Sequence, residues 1–302
     1  MRALAFLVVL ALALLVGVAL GEPEAPGAAV GPWRLVYATE VSGRRGLDVY
    51  VVDVPGGTPR RVAGVPGLND FSPAWSPDGR WIAFRRNPAR GDEGDIFLVP
   101  AAGGATRNLT RSPRIADWSP AWLPGSRELA YFSTADGGLD LWTMRQDGGG
   151  RRRLTRSAGL DEYPSPSPDG RLIAFQSARA GAFEVFSMRR DGMRQRNLTR
   201  NAADDKWPAW SPDGLWLAFV SDRDGSEDVF VMRADGARPR NLTQTPVLDE
   251  SHPEWAPDGR LTFTRHGETG PIELWVTDVD ASDQRRLDTV AEPVFTFDWR
   301  SR

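Results

Sequence analysis

The chain has no cysteine, one lysine (Lys206) and two histidines, His252 and His266, in 302 residues. Without cysteine there is neither a disulfide framework nor a thiol for lipid attachment, so the fold must be stable through its own core. A hydrolytic triad finds no Gly-x-Ser-x-Gly elbow to carry its nucleophile. A metal at His252 and Glu250 would need two further ligands that the spacing does not supply, so neither metal nor cofactor is expected. A net positive charge is also missing: 37 basic residues against 40 acidic ones leave −3, which excludes a nucleic-acid partner held by phosphate neutralisation. An amphipathic helical period is absent too, which excludes solenoids built on helix pairs.

Long apolar runs are confined to one place. Met1-Arg2, the apolar stretch Ala3 to Leu20 and the small residues Ala19-Leu20-Gly21 have the layout of a secretory signal over residues 1–21. Left uncleaved, eighteen apolar residues would just serve as a membrane anchor. Residues 22–32, rich in Pro, Gly and Ala, read as a flexible leader. The expected location is periplasmic or extracellular, with membrane contact only through that first segment.

The remainder, residues 33–302, is a repeat. One phrase, clearest as Ala-Trp-Ser-Pro-Asp-Gly from Ala74 and from Ala209, returns six times. Its aromatic falls at Trp75, Trp122, Trp210, Trp255 and Trp299, with Pro166 standing in once, at intervals of 44 to 47 residues. Within a unit, Ser72 to Trp75 is a short apolar stretch and Ser76-Pro77-Asp78-Gly79 a turn. Trp81 to Phe84, Asp95 to Val99 and Arg107 to Thr110 read as three further strands. Four strands in about 44 residues is the pattern of a propeller blade. The first unit lacks an inner strand, and Val294 to Arg300 is an inner strand with nothing after it. Together they complete one blade, so the expected fold is an all-β, six-bladed propeller sealed by its C-terminal strand, with no exposed sheet edge at the seam. A closed ring needs no second copy, and a monomer is expected.

Pro-x-Trp-Ser-Pro-Asp-Gly, followed by Ile/Leu-Ala-Phe, by an acid opening a strand such as Asp228 to Met232, and by a closing Asn-Leu-Thr, resembles the TolB-type propeller repeat across residues 33 to 300. The resemblance implies an exported docking surface in the cell envelope, here without the extra N-terminal domain of TolB. The Asn-Leu-Thr triplets at Asn108, Asn197 and Asn241 fit a glycosylation pattern, yet each fills the same slot and reads as outer-strand grammar.

Comparing the units separates framework from candidate site. Five residues before the aromatic stand Asp70, Asp117, Asp161, Asp205 and Glu250. Near the mouth of the central channel they would focus a negative potential that draws cationic ligands; alternatively they tie loop amides and lock blade to blade. A second acidic column, Asp48, Asp95, Asp140, Glu184, Asp228 and Glu273, suits turn amides. An arginine column, Arg60, Arg107, Arg152, Arg196, Arg240 and Arg285, is expected to pair with the turn acids Asp78, Asp169, Asp213 and Asp258.

Just inside the mouth the repeat varies: Phe71-Ser72, Trp118-Ser119, Glu162-Tyr163, Lys206-Trp207, Ser251-His252 and Phe295-Thr296. Aromatics beside acids make a surface for a protein, a peptide or a glycan. The candidate ligand site is therefore Asp70, Asp117, Asp161, Asp205, Glu250, Trp118, Tyr163, Lys206, Trp207 and His252, acting without catalysis. The competing reading is a carbohydrate-active lyase or hydrolase that uses the same carboxylates.

Overall fold

The computed structural model describes residues 31–40, 45–88, 93–125, 127–267, 270–288 and 293–301. The expected export segment and nearly all of the leader lie outside them. Six four-stranded antiparallel sheets make up the described fold, and no helix among the described residues is long and apolar enough to cross a membrane. Five sheets are contiguous in sequence. Their innermost strands are Asn69–Trp75, Asp117–Trp122, Asp161–Pro166, Asp205–Trp210 and Asp249–Trp255. The sixth sheet combines both ends of the array: Thr296–Ser301 pairs with Trp33–Glu40, with Leu35 opposite Trp299 and Tyr37 opposite Phe297. The expected seal is present. We number this closing blade 1 and the others 2 to 6 in chain order.

Blades meet through apolar faces that no single sheet could bury alone. Between blades 1 and 2, Val36, Val49 and Val51 pack with Trp75, Ile82, Phe84 and Val99. Between blades 5 and 6, Val220, Val229 and Val231 pack with Trp255, Leu261 and Phe263. The repeated tryptophan bolts neighbours together. Trp122 Nε1 donates to Ala74 O of the preceding blade at 3.2 Å, Trp255 Nε1 to Ala209 O at 3.0 Å, and Trp299 Nε1 to Thr262 Oγ1 at 2.7 Å.

The phrase Ser-Pro-Asp-Gly turns the chain as its residues dictate. Gly79 N–H donates to Ser76 O, Asp78 accepts from Ser76 Oγ and the Arg80 N–H, and Gly79 takes φ +66°. Asp169 and Asp213 repeat this pattern with Ser167 and Ser211. The arginine column does not pair with these acids. Arg60 instead donates to Ala101 O and Ala102 O of the next blade, Arg107 to Gln146 O, and Arg152 to Arg190 O and Asp191 O. The turn carboxylates bond within their own turns, Asp78 and Asp169 to serine and amide and Asp258 to Arg260, while the arginine column meets the carbonyls of the adjoining hairpin. The second acidic column clasps the outer strand: Asp95 accepts from Asn108 Nδ2, Thr110 Oγ1 and the Ser112 N–H, and Asp228 from Asn241, Thr243 and Thr245.

Candidate functional site

The inner strands begin earlier than their apolar stretch suggests, and this decides where the mouth acids go. Asp70, Asp117, Asp161, Asp205 and Glu250 lie within the strands, each opposite a second-strand residue: Arg86, Ser133, Ser177, Ser221 and Arg265. All five are buried, none more than 2% exposed. Asp70 takes two bonds of 2.7 Å from Arg86, and Glu250 one of 2.7 Å from Arg265. In blades 4 and 5 the arginine sits two residues past the serine: Arg179 reaches both oxygens of Asp161 at 2.8 Å, and Arg223 reaches Asp205 at 2.8 Å. Each arginine is capped by aromatics of its own blade, such as Phe175 and Phe186 around Arg179.

Blade 3 has Ala135 where the arginine would stand. Burial there holds the Asp117 carboxyl above its ordinary range against the hydroxyls of Ser133 and Thr110. These acids are framework by geometry: they face guanidinium groups and hydroxyls inside the sheets, not an open mouth. The arginine partners make no single column in the sequence: Arg86 and Arg265 lie within the second strands, whereas Arg179 and Arg223 stand two residues beyond theirs.

The aromatic positions behave differently. At five of them the inner strand carries a bulge, and the residue three before the key aromatic takes a left-handed backbone: Ser72 (φ 47°), Ser119 (44°), Tyr163 (48°), Trp207 (52°) and His252 (50°). Such φ is unusual for bulky residues. Here it brings each side chain to the wall of a central cavity of about 470 Å³, and Thr296 fills the equivalent place in blade 1. The ring of six is one-sided. Blades 1, 2 and 3 contribute Thr296, Ser72 and Ser119, whereas blades 4, 5 and 6 contribute Tyr163, Trp207 and His252.

The large side chains form a continuous arc. Trp118 stacks on Phe132 with centroids 5.2 Å apart, Phe132 meets Tyr163 at 5.3 Å, Tyr163 meets Trp207 edge-on at 6.2 Å, and Trp207 stacks on His252 at 4.8 Å. Of the expected site residues, Tyr163, Trp207 and His252 line the cavity. Trp118 supports them from behind, under the Arg85 guanidinium at 4.7 Å. Lys206 is not on the wall; it pairs with Glu227 and lies over the Trp207 ring at 5.1 Å. Burial lowers the His252 pKa to about 4, with a smaller push from His266, so the imidazole is neutral at physiological pH.

Deeper in the same cavity lies a pair that the sequence reading missed. The residue preceding the key aromatic is Ala74, Ala121, Ser165 and Ala209 in blades 2 to 5, but Glu254 in blade 6 and Asp298 in blade 1. Both carboxylates line the cavity. Asp298 accepts from the Trp75 N–H and the Trp299 N–H, each at 2.7 Å. Desolvation raises the Asp298 carboxyl to about 6, and desolvation together with the Asp298 charge raises Glu254 well above its ordinary range. Neither forms an ion pair among the described residues. The signal was present in the sequence as two acids breaking an otherwise small-residue column.

A family model described as the TolB beta propeller domain matches residues 112–206 and 183–295, together more than half the chain. No curated protein matches. The fold is similar to that of TolB from Acinetobacter baumannii (20% identity, TM-score 0.76, covering 91% of this chain and 69% of that one). It is also similar to a putative TolB from Agrobacterium tumefaciens (20%, 0.69, covering 85% and 89%). An oligogalacturonate lyase from Vibrio parahaemolyticus shares the architecture more loosely (14%, 0.56, covering 77% and 72%). At these identities the structures speak for the fold alone, whereas the matched repeats place this chain in the TolB beta propeller family.

Proposed function

We propose that this protein is an exported, non-catalytic docking module that receives an extended segment of a partner protein in the mouth of its central channel. The observation that carries the reading is the one-sided wall. Tyr163, Trp207 and His252 offer a continuous aromatic face, and Ser72, Ser119 and Thr296 leave room opposite it. A cavity of this volume, where aromatic and polar groups converge, suits a side chain or a short peptide. Tyr163 and Trp207 pack in part against the cores between blades and in part face the cavity, so they offer rigid aromatic anchors of the kind found at binding hot spots. The apolar run ahead of the array supports export. The lyase alternative draws on the column from Asp70 to Glu250, and those carboxylates are buried inside the sheets, four of them paired with arginine.

Random peptides displayed on phage and selected on the immobilised ring test this. Isothermal titration of selected peptides should show at least about a tenfold loss with Trp207→Ala, the effect of removing one buried aromatic contact. Peptides that bind Trp207→Ala and Tyr163→Ala as tightly as the native ring would place docking elsewhere.

A further inference from the structure

The proposed docking reading leaves open which chemistry the channel selects, and the floor of the cavity answers that. We propose that the docked segment presents a lysine or arginine side chain, which the carboxylates of Glu254 and Asp298 hold. This rests on the docking reading and adds the class of ligand.

Two observations converge on it. First, the two carboxylates stand on adjacent blades at the same level of the channel and line one cavity, and among the described residues neither forms an ion pair. Arg300, the other charged residue on this wall, packs over the Trp75 ring at 5.3 Å and donates to Ser301 O at 2.9 Å. Second, the approach to the pair is aromatic, with Tyr163, Trp207 and His252 on the same wall, which favours an organic cation by ring-face attraction and covers an aliphatic stem.

A bare metal ion fits less well. Calcium takes six to eight oxygen ligands, and among the described residues no three His, Asp or Glu side chains gather to hold an ion. A ligand that brings a cation and an apolar stem together is a basic side chain of a peptide.

The probes are n-butylammonium and n-butylguanidinium, with n-butanol and calcium chloride as comparators, titrated into the ring with ¹⁵N-labelled tryptophan indoles. Saturable shifts of the indole resonances are expected with both cations. They should weaken at least tenfold in Glu254→Gln, a side chain that holds no other part of the fold. Asp298→Asn should weaken them as well, and if that variant fails to fold, Glu254→Gln alone decides. Equal shifts with butanol would reduce the site to an apolar pocket and overturn the proposal. So would saturation by calcium with displacement of the amine, or no saturable response to either cation. Failure here with successful peptide selection above would refute only the basic ligand. Amine binding with no peptide sensitive to Trp207→Ala would instead refute the docking reading.

Discussion

The column of buried acids can be tested by removing one charge at a time in blade 4. Asp161 is fully buried and accepts four hydrogen bonds: two from Arg179 at 2.8 Å, one from Ser177 Oγ at 2.6 Å and one from Ser157 Oγ at 2.9 Å. In Arg179→Ala the carboxylate keeps two hydroxyl donors and loses its counter-charge. Breaking a buried pair by removing one partner costs about 3–5 kcal/mol, because the surviving charge is left uncompensated. Asp161→Asn strands the guanidinium less severely, since Arg179 also donates to Ser177 Oγ and Gln195 and is partly exposed. About 2 kcal/mol is expected for that change. With both residues replaced, neither charge is stranded, so the double variant should lose less than the sum by about 2 kcal/mol. Guanidinium denaturation followed by tryptophan fluorescence measures all three. A coupling below about 0.5 kcal/mol, or a single variant that keeps its stability while losing peptide binding, would refute the framework assignment and return these acids to the ligand site.

Two further outcomes follow from the same geometry. Trp299→Phe should cost about 1 kcal/mol more than Trp75→Phe, since only Trp299 spends its indole N–H on a neighbouring blade; equal losses in denaturant would contradict the bolt. The Asp298 carboxyl, raised from 3.8 to about 6, binds its proton more tightly in the folded ring than in the unfolded chain. Its contribution to stability is therefore full below about pH 4 and lost as pH rises through about 6, a loss of about 3 kcal/mol by neutrality. Asp298→Asn should reduce that slope in urea melts between pH 4 and 7, with Glu254 keeping the share due to its own burial, and an unchanged slope would assign it to another group.

Much of this architecture was legible because the physics behind it is local and repeated. Ser76-Pro77-Asp78-Gly79 can hardly do anything but turn, and a first unit without an inner strand has to find one at Thr296–Ser301. The site was harder to read. Tyr163, Trp207 and His252 announced themselves as departures from the repeat and do share one wall. Asp161 and its equivalents looked like an open acidic mouth, because spacing does not reveal that Arg179 folds back over them from eighteen residues further on. Glu254 and Asp298 escaped notice for the opposite reason. Two acids in six units make no column, and only the closure of blade 1 against blade 6 brings them side by side.

The left-handed bulge at Ser72, Ser119, Tyr163, Trp207 and His252 has one more implication. Because the backbone excursion is the same whether the pendant group is a hydroxyl or an indole, the torus behaves as a fixed socket fitted with interchangeable pegs. Single codon changes at those five points could retune what the bore admits, with the sheets, the tryptophan bolts and the seam left as they stand.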